Sequence, residues 1–353
     1  MAAHVDETGA LLTVDDPQKQ WEAVSLWYHL RRPYPDRSFD YVDGQWRYWL
    51  DRPPVDRLEY LIETTGADGS SALVLDESNP ATVAGVFGEH SVLEFPGYHR
   101  PWWVADLHGG ASATHGTRVE IGLPHAHGLR RDLPVELWTP DGVDSDATLP
   151  LLLVHDGTEM DRLAAVTSYA TAMARTGRLP AFRIGLLSPP DRDAWYSASP
   201  AYARSLATTA VPALLDQVPT LGRPVLAGAS LGALAALHAE WAHPGTFAGL
   251  YLASGSFFQV RFDEQESGHA RFLRICSAVE WILDAATPWT AAKVALTCGR
   301  GEENWENNQA MVAALRRAGV TAAFSAFADG HTWVGWRDSL DPALTDLLAT
   351  LWR

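Results

Sequence analysis

Residues 224–237 constrain this chain most, reading Pro-Val-Leu-Ala-Gly-Ala-Ser-Leu-Gly-Ala-Leu-Ala-Ala-Leu. A short apolar run of strand composition meets Gly228-Ala229-Ser230-Leu231-Gly232, and strong helix formers follow at once. A G-x-S-x-G match alone is weak, because small residues gather in turns by chance. With a strand before it and a helix after it, the match has the context of a nucleophile elbow. Such a turn forces the serine into a strained backbone, so the positions around it must be nearly free of side chain, as Gly228 and Gly232 are. Ser230 then stands at a helix N-terminus, where the backbone N–H of Leu231 can bond an oxyanion. A plain capping serine accounts for less of the pattern.

The surroundings fit an α/β chain. Apolar strands are expected at 134–138, 151–154, 182–187, 224–227, 248–253, 294–298 and 322–326, with helix-length stretches at 164–175, 202–217, 233–241 and 307–318. Alternation of this kind predicts a mostly parallel, doubly wound sheet covered on both faces, because parallel strands need crossover connections. The first part of the chain reads differently. Segments 58–64 and 72–75 have strand composition, Gly66-Ala67-Asp68-Gly69 has the residues of a hairpin loop, and residues 76–80 read as a turn. The expected division is a β-rich accessory domain at 1–112 and an α/β-hydrolase catalytic domain at 113–353.

Chain order in this fold places the acid and then the base after the serine. Residues 324–333 supply a strand, Gly330 and then His331 in a loop, which makes His331 the best placed of 13 histidines as general base. The preceding strand runs into Gly299-Arg300-Gly301-Glu302-Glu303, and either carboxylate can accept the His331 ring N–H and hold the useful tautomer. Glu302 is preferred; Glu303 is the alternative, and either could be only a first-turn helix acid. A second oxyanion donor is expected after the strand at 151–154, from the N–H of Gly157 or Thr158, with Asp156 fixing that loop. Trp333 and Trp336 either wall the site or pack in the core.

A net charge of −16 argues against nucleic acid or an anionic membrane surface as partner. No apolar run reads as a signal peptide or membrane span, so a cytoplasmic protein is expected. Cys276 and Cys298 read as small buried hydrophobes, and no C-x-x-C spacing suggests zinc. His125-Ala126-His127 lacks a third ligand nearby in sequence, so no metal and no cofactor are expected.

With these pieces assembled, residues 118–353 resemble the enterochelin (siderophore) esterase-like family of serine esterases. The blocks carrying the resemblance are 149–157, 225–237, 251–258, Gly299-Arg300-Gly301-Glu302 and Asp329-Gly330-His331-Thr332-Trp333, in family order. The resemblance implies an α/β-hydrolase fold and an immunoglobulin-like domain ahead of it, and it places the triad acid on Glu302. Residues 191–196 resemble the family's substrate-side loop, commonly R-x-x-E, although Trp195 stands where the glutamate would be. That loop offers Arg192, Trp195 and Tyr196, with Trp333, as substrate-binding candidates. Trp21, Trp27, Tyr28, Trp46, Tyr48 and Trp49 either extend over the site or pack. The implied substrate is a small-molecule ester such as a siderophore trilactone; a carbohydrate or feruloyl-type ester, acyl transfer, and a non-catalytic binding protein are the other readings.

Overall fold

The computed structural model describes residues 4–105, 116–123, 129 and 131–352. These form two compact units. One comprises Met1–His99, Gly299–Glu303 and Phe327–Gly335, and the other Arg100–Cys298, Asn304–Ala326 and Trp336–Arg353. The boundary expected at 112/113 and the His125–His127 pair fall outside the described residues.

The first unit carries two antiparallel sheets. Strands β1 (His4–Val5), β2 (Gly9–Asp15), β4 (Asp40–Val42) and β5 (Gln45–Asp51) form one, in the order β1-β2-β5-β4. The other is β3 (Trp21–Tyr28), β6 (Arg57–Gly66), β9 (Gly88–Glu94) and β8 (Thr82–Gly85), with β7 (Ser71–Val74) paired to β6. Period-2 alternation makes these strands: Leu58, Tyr60 and Ile62 of β6 are buried while Glu59, Leu61 and Glu63 are partly open. They meet Leu12, Trp46 and Leu50 of the other sheet in one core. The β6–β7 hairpin is the one legible in the sequence, closed by Gly69 at φ 79°, a left-handed position that favours glycine. Of the six aromatics singled out, Tyr28 and Trp46 are core residues, Trp21 and Tyr48 pack against the core, Trp27 stacks on His90, and Trp49 is exposed.

The second unit is built on β10 (Thr117–Ile121), β11 (Val135–Thr139), β12 (Leu151–His155), β13 (Arg183–Leu187), β14 (Val225–Ala229), β15 (Gly249–Ala253), β16 (Lys293–Gly299) and β17 (Ala322–Phe327). Their order is β10-β11-β13-β12-β14-β15-β16-β17. The β10–β11 and β11–β13 pairs are antiparallel, and the ladders from β13 to β16 are parallel. Strands β12 to β15 are buried at every residue, the mark of a sheet covered on both faces. Each expected strand is present within two residues of its expected limits. The helix expected at 202–217 divides into Pro200–Ser205, a wide turn Leu206–Ala210 and Val211–Gln217. Pro212 has no N–H for the helical ladder, which accounts for the wide turn before it. Strand β10 and the helix Phe272–Leu283 were not anticipated. Cys276 and Cys298 are both buried. Among the described residues no helix is long and apolar enough to cross a membrane.

Candidate active site

Ser230 lies between β14 and the helix Leu231–Ala242 with φ 56° and ψ −123°, the strained backbone of an elbow. The close approach that demands glycine is direct. A Cβ on Gly228 would stand 2.4 Å from the Gly232 carbonyl carbon, and one on Gly232 would stand 3.1 Å from the His155 Cβ. Since the first of these meets backbone that cannot swing aside, Gly228→Ala is expected to lower stability by about 3 kcal/mol or more, read as a drop in the urea midpoint. Wild-type stability in the variant would mean the turn can open.

The strained turn is held from several sides. Ser230 N–H donates to the Ala253 carbonyl (2.9 Å), and the Ser230 carbonyl accepts from Ser256 N–H (3.2 Å). The hydroxyls of Ser230 and Ser256 are 3.1 Å apart. The Ser254–Ser256 stretch is clamped in turn: Asn308 accepts from Gly255 N–H (2.9 Å) and donates to its carbonyl (3.0 Å), and Asn304 donates to the Ser254 carbonyl (3.1 Å). Trp336 is buried and donates its indole N–H to Ser254 Oγ (2.9 Å), which settles it as a packing residue. Sequence reasoning did not assign roles to Ser256, Asn304 or Asn308; the small-residue run after β15 was their only signal.

Behind the elbow, His155 donates from Nδ1 to the Gly232 carbonyl (2.7 Å) and accepts at Nε2 from the Tyr202 hydroxyl (2.8 Å). Burial pushes this imidazole down to about 4, so it stays neutral in the folded chain. Because the folded value lies below the ordinary 6.5, stability is intact above about pH 6.5 and is lost as pH falls toward 4. Burial likewise pushes His238 down to about 4, in the same direction. Each contributes at most about 3 kcal/mol of loss. Urea midpoints are therefore expected to fall steadily from pH 7 to pH 4.5; a flat profile would show that these imidazoles reach water when charged.

Leu231 opens its helix, so its N–H is among the first-turn donors that have no intrahelical acceptor. Gly157 opens the helix Gly157–Arg162, and a Cβ there would meet the Leu186 backbone at 2.5 Å. Thr158 N–H faces Ser188 Oγ (3.3 Å), which leaves Gly157 the better placed of the two expected donors. Asp156, at φ 51°, accepts a two-pronged pair from Arg192 at 2.8 Å on each arm, fixing the turn that carries Gly157. Arg192 thus acts on the loop. Trp195 and Tyr196, expected on the substrate side, are 7% and 0% exposed and pack on His155 and Tyr202. Both belong to the buried core of this unit.

The acid and base candidates belong to the other unit. Glu302, 1% exposed, accepts from Gly299 N–H on Oε1 (2.7 Å) and from His331 Nδ1 on Oε2 (2.8 Å). An ionised carboxylate can only accept, so the bond puts a proton on Nδ1, and a neutral ring in this tautomer carries its lone pair on Nε2. Glu303 turns away, to Arg32 (3.3 Å) and His29 (3.8 Å). Of the two alternatives, Glu302 is the one brought to the histidine. Trp333 is half-buried at the start of the helix Trp333–Ser339.

None of the curated proteins matches the chain. Among solved structures, the enterochelin esterase from Shigella flexneri is similar at 19% identity with a TM-score of 0.74, over 99% of this chain and 96% of that one. The ferric enterobactin esterase from Salmonella typhimurium is similar at 19% identity and a TM-score of 0.75, over 98% of this chain and 93% of that one. A ferulic acid esterase is similar at 17% identity and a TM-score of 0.57, over 67% of this chain and 99% of that one. These likenesses bear on the fold. The sequence model described as "Putative esterase" matches residues 126–347, well over half of the chain. The chain belongs to that esterase family and is a carboxylic-ester hydrolase.

Proposed function

We propose that the chain cleaves its ester by two-step acyl transfer. Ser230 Oγ attacks the ester carbonyl, and its proton passes to His331 Nε2 while Glu302 holds Nδ1–H. The N–H groups of Leu231 and Gly157 bond the developing oxyanion. The protonated His331 then gives its proton to the leaving alcohol. Water, deprotonated by the same nitrogen, attacks the acyl-enzyme and frees the acid and Ser230. The observation carrying this reading is the Glu302–His331 bond at 2.8 Å, which directs a ring proton to Nδ1 and so favours the tautomer whose Nε2 can take the serine proton.

For substrate we propose a siderophore trilactone or a related small-molecule ester. Support comes from the extent of the likeness: the enterobactin esterases align with 98–99% of this chain, both units included, whereas the ferulic acid esterase aligns with 67%. The test is hydrolysis of short-chain p-nitrophenyl esters together with labelling by a fluorophosphonate, followed by an enterobactin-type trilactone and a feruloyl ester in parallel. Labelling with trilactone turnover supports the whole reading. Labelling with feruloyl turnover alone keeps the mechanism and replaces the substrate, and absence of both labelling and turnover rejects the mechanism.

A further inference from the structure

We propose that Arg57, at the start of β6, is a positioning residue for His331, acting through Asp329, so that the β-sandwich sets the geometry of the catalytic base. This rests on the roles given above to Glu302 and His331.

Arg57 is buried at 3% exposure, with its Nη1 2.8 Å from Glu59 Oε1 and 3.6 Å from Asp329 Oδ2. Burial pulls this guanidinium's pKa down, but the Glu59 and Asp329 carboxylates carry it above the ordinary value, so it remains a cation. Asp329 joins the two catalytic turns. Its Oδ1 accepts from Gly330 N–H (2.6 Å), one residue before His331, and its carbonyl accepts from Gly301 N–H (3.3 Å), one residue before Glu302. The neighbouring backbone follows the same course: Asp56 N–H donates to the Ala328 carbonyl, and Arg31 N–H to the Gly301 carbonyl, each at 2.7 Å. Packing is equally close, since a Cβ on Gly301 would stand 2.6 Å from Val55 and one on Gly330 would stand 2.9 Å from Leu30.

A buried ion pair adds little net stability over an apolar pair of the same shape, so energy alone does not explain this one. What it supplies is direction. His331 follows Gly330, whose backbone is the least self-restrained of any residue, and a base must hold its place to within a fraction of an ångström to keep its rate.

The experiment uses the full chain with Arg57→Gln, Arg57→Lys and Asp329→Asn, a p-nitrophenyl ester, fluorophosphonate labelling rates and thermal melts. Arg57→Gln and Asp329→Asn are expected to lower kcat about 10–100-fold with KM within a few-fold, and to slow labelling in proportion. Arg57→Lys, which keeps the charge, recovers part of the loss. A purely structural role would lower Tm and leave the kcat of the folded fraction unchanged, and that result would overturn the inference. Should Arg57→Gln fail to fold, Asp329→Asn and Arg57→Lys decide by the same criterion. An active wild type with unaffected variants rejects this inference alone, whereas a wild type that neither labels nor turns over rejects the esterase mechanism and this inference with it.

Discussion

Ser230→Ala is expected to lower kcat about a million-fold and to abolish fluorophosphonate labelling, while the protein stays folded. The size follows from the two-step route. Without Oγ there is no acyl-enzyme, and only oxyanion donors and substrate positioning remain to act on a direct attack by water. The fold should tolerate the change, because the bond between the Ser230 and Ser256 hydroxyls (3.1 Å) is a neutral one, and a single neutral hydrogen bond contributes only about 1 kcal/mol. Ser230→Gly goes further. It removes the side chain from a backbone at φ 56°, where a non-glycine residue costs about 1–3 kcal/mol, so this inactive variant is expected to melt above the wild type. Steady-state hydrolysis, label incorporation and thermal melts on the three proteins check all of this. A Ser230→Ala protein that still turns over within a hundredfold of wild type would assign the nucleophile elsewhere.

Much of this was legible because the constraints are local. The elbow needs small residues at fixed offsets, and Gly228 and Gly232 announce it; strands β12 to β15 are short, predominantly apolar runs because both faces of the sheet are covered. The Glu302 and His331 turns were found by their place after the last two strands. The clamps were not legible. Asn308 on its helix, and Arg57 nearly 250 positions ahead of Glu302, meet their partners only through tertiary folding, and a lone Asn or Arg carries no pattern of its own. The inward packing of the loop at residues 191–196 was not legible for a related reason. Aromatics beside an arginine look like a binding surface in sequence, yet Tyr196 is the wall that His155 packs on, and Arg192 bonds Asp156 through Nε and Nη2.

The adjacent carboxylates Glu302 and Glu303 offer the sharpest internal comparison, because one substitution made at two neighbouring positions should give opposite results. Glu302→Gln is expected to lower kcat about 10,000-fold. Its amide oxygen can still accept from Gly299 N–H, so the turn keeps its shape, but the NH2 then faces His331 Nδ1. To accept from that NH2, the ring must move its proton to Nε2, and the nitrogen that should take the serine proton becomes a donor. Loss therefore falls on kcat, with KM little changed, since nothing that binds substrate has been removed. Glu303→Gln breaks only the pairs with Arg32 and His29, whose side chains are 64% and 56% exposed. Such pairs contribute about 0–1 kcal/mol, and kcat should stay within two- to threefold of wild type. Steady-state kinetics on both variants, with near-equal Tm values as the control for folding, separates the roles. A large loss in Glu303→Gln with a small one in Glu302→Gln would move the acid one residue along the chain and require the turn at Gly301 to rearrange before catalysis.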